Sequence, residues 1–401
     1  MRWIGRALTC LALGVPVAGM PAGGDEVEIK EGKKSYTLDE LPEDWSVGVV
    51  STVKEWVPWA VEHGFTAELA ADGRVLLLAN ERAGAVRKRL KMVDAAAKEF
   101  DSLLPVSNPG QDEEEGGLFG GTEFVPEDPD LEVGSSPFGT TAPAEAGVES
   151  EVDVWDQGRD FVPDAFPAVL VVTADVESYG GVLDRMVERD SELREWAIQA
   201  KARTGFVWEG PVVGALQAEP EDVKDYEVDN EVANRVGRLL LRRRYGDLPY
   251  WIVQGFGWEV ERGAAREIAA FPFREEAEDE DKNWEQSLQA QFKDRKDRAL
   301  SLEDFAHWPR ESYYGPYARI SWALVTQLLK RDSEAFDAYC HDLRREWDKK
   351  NRSYAEAGRW RRLRTYQTQI ELQGSLLEEH FGADTWQVVT DAILSKSVTK
   401  R

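Results

Sequence analysis

Apolar and polar positions divide this chain into two patterned blocks separated by an apolar-poor gap. Between residues 36 and 60, Trp45, Val49, Val53, Trp56 and Trp59 recur every three or four positions, the interval that stacks side chains on one helix face. Residues 74–79 (RVLLLA) form a short continuous apolar run, as expected of a strand buried on both faces. Residues 81–104 return to helical period through Val86, Leu90, Met92, Val93, Ala96 and Phe100. A strand followed by a helix predicts a layered α/β unit.

Beyond the gap, residues 167–173 (PAVLVVT) read as a second buried strand, 179–202 as a helix and 205–217 as extended chain. Residues 229–245 carry Val232, Val236, Leu239 and Leu240 at helical spacing, with Gly246-Asp247 and Pro249 to end the helix. Further helices are predicted over 321–331, 333–347, 354–379 and 385–394. No internal repeat is evident. The expected fold is α+β, a small mixed sheet with helices followed by a mainly helical C-terminal half.

The gap itself, residues 106–158, holds 14 acids and neither Lys nor Arg. Such a segment buries too little apolar surface to offset ordering entropy, so a solvated, disordered insertion is expected. Residues 275–282 (EEAEDEDK) form a second acidic run, read as a loop. Residues 1–22 place Arg2 and Arg6 before a short apolar stretch and small residues, the layout of a cleaved secretory signal. An extracytoplasmic location, periplasmic or secreted, follows. Cys10 leaves with the signal, so Cys340 has no partner for an internal disulfide. The expected organisation is thus 1–22 signal, 23–105 α/β segment, 106–158 insertion, 159–284 site-bearing region and 285–401 helical subdomain.

Charge narrows the function classes. The chain has 49 Lys and Arg against 75 Asp and Glu, a formal net charge of −26. That balance opposes general nucleic-acid binding and retention on anionic lipid. No internal apolar run approaches the roughly 18–20 residues that span a bilayer. Two Cys and four His exclude Cys-rich zinc folds, iron–sulfur clusters and disulfide frameworks. The chain lacks the G-x-S-x-G elbow and the G-x-x-x-x-G-K loop, and Gly255-Phe256-Gly257 supplies two of the three glycines of G-x-G-x-x-G.

Residues 234–261, NRVGRLLLRRRYGDLPYWIVQGFGWEVE, are the most informative stretch. They resemble the peptidase MA-like gluzincins, zinc peptidases in which a helix carries HExxH and a following L-P-x-W-L-x-E-G-x-A segment supplies a third ligand. Two His at i and i+4 share a helix face and grip one zinc, and the intervening Glu activates the bound water. Leu248-Pro249-Tyr250-Trp251-Ile252-Val253-Gln254-Gly255 matches the second segment, with Gln254 at the ligand Glu. The resemblance then places Asn234 and Arg238 at the two His and Arg235 at the catalytic Glu. A second register, Asn230-Glu231-Val232-Ala233-Asn234, retains a Glu in the frame but neither His. Amides ligate zinc poorly and Arg opposes a dication, so no metal and no cofactor are expected. Residues 313–323 (YYGPYARISWA) and 381–386 (FGADTW) look like further parts of the same group.

The resemblance implies an exported, catalytically silent peptidase-like protein, degenerate at Asn234, Arg235, Arg238 and Gln254. It would have a binding or scaffolding role through Arg238, Gln254 and Trp258, with a protein or an envelope polymer as partner. One alternative is a working hydrolase using Glu231 or Glu259 with a weakly held metal. Another is an envelope-polymer binder using exposed Trp rings and the basic island at 341–364, where nine Lys or Arg face four acids. Arg235, Arg238 and Arg242 recur at helical spacing and read either as a solvated face or as an anion site. The Trp residues default to core packing, and Glu303/His307 to a surface pair.

Overall fold

The computed structural model describes residues 27–105, 166–208, 212–220, 223, 226–246, 248–270, 283–293, 302, 316–356 and 370–399. The expected signal at 1–22, the insertion at 106–158, the loop at 275–282 and the Glu303/His307 pair lie outside them.

Among the described residues, seven strands form one mixed sheet in the order β2-β1-β3-β4-β5-β7-β6. They are β1 (Glu28–Glu31), β2 (Lys34–Thr37), β3 (Thr66–Ala70), β4 (Val75–Ala79), β5 (Ala168–Thr173), β6 (Gly205–Trp208) and β7 (Val213–Gln217). At its centre β4, β5 and β7 run parallel, with Leu77 opposite Leu170 and Val171 opposite Ala215. The apolar runs are buried on both sides because alternate residues serve two cores. Val75, Leu77, Leu170, Val172 and Leu216 enter one core. Leu76, Leu78, Val169, Val171 and Ala215 enter the other.

The second core is closed by α1 (Val47–Glu62), α3 (Val176–Arg189) and α4 (Arg194–Ala200). The helix expected over 179–202 is therefore two helices. Asp190 ends α3 in an extended conformation, and its carboxylate caps the turn that follows. The first core is covered by α2 (Ala83–Leu103), α5 (Val228–Tyr245) and α6 (Tyr250–Ala265), and extends into the helical half. That half contains α7 (Trp284–Lys293), α8 (Pro316–Arg331), α9 (Ser333–Glu356), α10 (Ile370–Phe381) and α11 (Thr385–Leu394). The expected division into a mixed sheet and a mainly helical second half is what the structure contains. The sheet is larger than the apolar runs alone indicated, since β1, β2 and β3 are short and partly polar.

Arg89 fastens α2 to α5. Its guanidinium donates to both Glu81 carboxylate oxygens at 3.0 Å and to Asp229. Gly246 ends α5 at φ +74°, ψ −139°, which an L side chain rarely adopts. Pro249 then starts α6 as its N-cap. Glycines also let the helices approach closely: a Cβ on Gly237 would lie 2.8 Å from Val260 Cβ, and one on Gly255 would lie 2.5 Å from the Ser321 carbonyl oxygen of α8.

These contacts make two glycines of similar helical setting respond oppositely to one change. Gly255→Ala, which drives a methyl into backbone, should destabilise by about 1–3 kcal/mol. Gly180→Ala in α3 meets nothing within 4 Å and should stabilise by about 0.5–1 kcal/mol. Urea unfolding midpoints of the two variants check the pair.

Candidate functional site

Helices α5 and α6 pack through an interface that is polar where an apolar seam would be usual. Along α5 the stripe Asn230, Asn234, Arg238, Arg242 follows a four-residue spacing, and all four are buried. Along α6, Gln254, Gly257 and Glu261 fall on one face, every third or fourth position. The reading of Arg235, Arg238 and Arg242 as a solvated face is therefore corrected: they are exposed by 0, 3 and 1 %. The period was helical, but α5 is enclosed by the sheet on one side and by α2 and α6 on the others.

The centre of the interface is the Glu261 carboxyl. Its Oε1 accepts from Asn230 Nδ2 at 2.9 Å and from the backbone N–H groups of Ala269 and Ala270 at 2.6 and 2.8 Å. Its Oε2 accepts from Asn234 Nδ2 at 3.2 Å. Asn230 Nδ2 also reaches the Glu267 carbonyl at 3.1 Å, and Trp258 Nε1 donates to the Ala270 carbonyl at 2.8 Å. Arg266, at φ +73°, reverses the chain after α6, which brings 269–270 back onto the carboxyl. Burial pushes the Glu261 pKa up to about 8. The Ala269 and Ala270 N–H groups and Asn230 pull it down, and Glu231 pushes it further up. At neutral pH the group is thus largely a neutral acid. Its O–H can donate to Asn234 Oδ1 once that amide rotates, and Oδ1 otherwise lacks a hydrogen-bond partner.

Arg235 faces away from this cluster. Its Nε donates to the Ala215 carbonyl of β7 at 3.2 Å, and Nη1 reaches both the Glu231 carbonyl and the Glu231 carboxylate. The pair lies in the interior, at 0 and 2 % side-chain exposure. The missing side chain of Gly205 makes room for the guanidinium, since a Cβ there would overlap it. Tyr226 donates to the Gln217 carbonyl at 2.7 Å, and burial, aided by the Glu231 charge, lifts its pKa well above the usual phenol value.

The other candidates fall as follows. Arg238 lies against α6 at Gly257, where a Cβ would sit 2.6 Å from Arg238 Cγ and 3.1 Å from the Asn234 carbonyl oxygen. Gln254 is fully buried, and neither atom of its amide has a hydrogen-bond partner. Trp258 is fully buried and packs edge-on against Trp284, ring centres 5.3 Å apart, so its face is a core contact. Glu259 accepts from Arg262 Nε at 2.9 Å, Trp322 Nε1 at 3.0 Å and Thr326 Oγ1 at 2.9 Å, which ties α6 to α8. Trp251 and Trp322 are likewise core residues, as the default for Trp anticipates.

A zinc ion does not fit this donor set. Both Asn side chains turn N–H groups toward Glu261, and an N–H group offers no lone pair to a metal. Among the described residues no three His, Cys, Asp or Glu side chains gather about one point. The structure joins Asn230, Asn234 and Glu261 by direct hydrogen bonds, and leaves Gln254 outside that network. Glu261 was not singled out from the sequence. The signal available was its place seven residues after Gln254, two turns along the same helix face.

Two predictions follow from this chemistry. Because the folded protein holds the Glu261 proton more tightly than the unfolded chain, its contribution is complete below about pH 4.5 and is lost as pH rises through about 8. Unfolding free energy should fall across that window by an amount on the order of a few kcal/mol. Glu261→Gln should flatten the slope in urea titrations at pH 5 and 8.5. Separately, Gln254→Met removes two unsatisfied buried atoms and should raise stability by about 1–2 kcal/mol, read from the same unfolding curves. In comparisons with known proteins, no family model, no curated protein and no solved structure matches this chain.

Proposed function

We propose that this is an exported, non-catalytic protein of gluzincin-like build, whose α5–α6 unit acts as a binding or scaffolding frame. The observation that carries the reading is the Glu261 carboxyl held by the Asn230 and Asn234 amides across two antiparallel helices. The spacing Asn230-Glu231-x-x-Asn234, followed by an acid from the next helix, repeats the layout of a two-His, one-Glu zinc site with amides in place of imidazoles. This supports the second register over the first. Glu231, in the catalytic position of that frame, is bound to Arg235 and so cannot serve as a base. Glu259, the other acid considered for hydrolysis, is spent on Arg262, Trp322 and Thr326.

Export rests on residues 1–22. Among the described residues no helix is long and apolar enough to cross a membrane. The partner class that suits the reading is a protein or an envelope polymer, met outside the closed α5–α6 interface. Nucleic acid is disfavoured by the net charge of −26.

The full-length protein should purify without stoichiometric zinc and show no chelator-sensitive peptide hydrolysis. The double variant Asn230→His, Asn234→His should gain about one zinc per chain, using Glu261 as third ligand. Elemental analysis, with circular dichroism to confirm folding, reads both. Stoichiometric zinc in the unaltered protein overturns the non-catalytic reading, and a folded double variant that ignores zinc overturns the gluzincin-like one.

A further inference from the structure

Strand β2 ends one side of the sheet, and among the described residues it pairs only with β1. Its backbone directions follow from the register. The Leu38 N–H reaches the Val27 carbonyl at 3.3 Å, and Gly32 at φ +59° opens the tight turn between the paired Glu31 and Lys34. Bonded and non-bonded pairs alternate along an antiparallel ladder, so Val27–Leu38, Ile29–Tyr36 and Glu31–Lys34 are the bonded ones. The N–H and C=O groups of Ser35 and Thr37 therefore point off the sheet. The Thr37 carbonyl accepts from the Glu40 N–H at 3.1 Å and keeps a second lone pair. Lys33, Lys34 and Ser35 are exposed, so the edge is open.

This edge carries opposite charge at its two ends. It begins at a basic tip with Lys30, Lys33 and Lys34, and it runs into a turn with Asp39, Glu40, Glu43 and Asp44, all four exposed. Lysines on an open edge ordinarily keep copies apart. That protection is lost against an antiparallel copy of the same edge, because each basic tip then meets the other's acidic turn. Pairing Ser35 with Thr37 of a second copy, and Thr37 with its Ser35, uses both outward-facing residues on each side. The same register sets Lys33 opposite Asp39 of the second copy and Tyr36 opposite its own equivalent on a two-fold axis. The net charge of −26 repels copies in general, but residues 27–38 hold three Lys against two Glu, so this hairpin does not add to the repulsion.

We propose that the outer edge of β2 is a docking surface whose occupant is a second copy of this chain, paired antiparallel through Ser35 and Thr37. Charge complementarity between the two ends of the edge names the occupant. The two sheets would then join into one. The edge lies at the opposite end of the sheet from β7 and β6, where α5 packs, so pairing leaves the α5–α6 unit as it is.

The test is sedimentation velocity of the full chain at about 0.15 M salt. The unaltered protein should pass from monomer to dimer with a midpoint on the order of tens of micromolar, as suits a contact of less than about 1,000 Å². Ser35→Pro removes an outward N–H and spares every bond to β1, so it should stay folded by circular dichroism and dimerise at least about tenfold more weakly. Two charge variants, one with Lys33→Glu and Lys34→Glu and the other with Asp39→Lys and Glu40→Lys, should each weaken dimerisation by at least about tenfold. An equimolar mixture of the two should recover it, since each tip then faces an opposite charge again; this arm stands if the proline variant misfolds. An unaltered protein that is monomeric up to about 200 µM overturns the proposal, since that is well above the expected midpoint. A dimer indifferent to all three variants, or a mixture that stays monomeric, overturns it as well.

Discussion

A carboxyl group removed from water must be met by donors or keep its proton, and the α5–α6 interface does both for Glu261. Four N–H groups converge on it, two from α5 and two from the returning chain at 269–270. They come from two separate segments packed on α6, the second of which also accepts from Trp258 Nε1 through the Ala270 carbonyl. The carboxyl therefore fixes the register of α5 on α6 and the path of the chain after α6 together. A one-residue slide of either helix would strand at least one buried polar group, at a cost of about 1–3 kcal/mol.

The same logic extends outward. On the sheet side of α5, Arg235 pairs with Glu231 and donates to a strand carbonyl. At its start Asp229 meets Arg89 of α2, and at its end Arg243 and Arg244 take backbone carbonyls from two other segments. On the far side of α6, Glu259 engages Trp322 and Thr326 of α8. Helix α5 is thus linked by polar contacts to nearly every layer around it. Glycines at 237, 255 and 257 draw the backbones close enough for these contacts to form. At this centre Glu231 and Glu259 are paired, Glu261 is largely protonated at neutral pH, and Arg235, Arg238 and Arg242 are buried.

Gln254 stands apart in one respect. It is interior and both polar atoms of its amide lack a hydrogen-bond partner, while Gly257 and Glu261 on the same face are a glycine and a fully bonded acid. An apolar residue there would be more stable, so the packing at this position is not tuned for stability alone.

What the sequence determined by itself was whatever depends on near neighbours. Continuous apolar runs named β4 and β5, helical period named α2 and α5, and Gly246 with Pro249 ended one helix and began the next. Two Asn four apart placed two amides on one face of α5. Tertiary structure alone decided what those amides meet. Whether Asn230 turns to a cation or to a carboxyl 31 residues away depends on how α6 lies on α5. No local period encodes this, because a hydrogen bond is set by distance and direction in space. The burial of the three arginines is of the same kind. Helical period shows that residues share a face, but whether that face meets water or a sheet is settled by the layers that close over it. Strands β1, β2 and β3 likewise take their conformation from pairing along a growing sheet edge and carry little apolar pattern of their own.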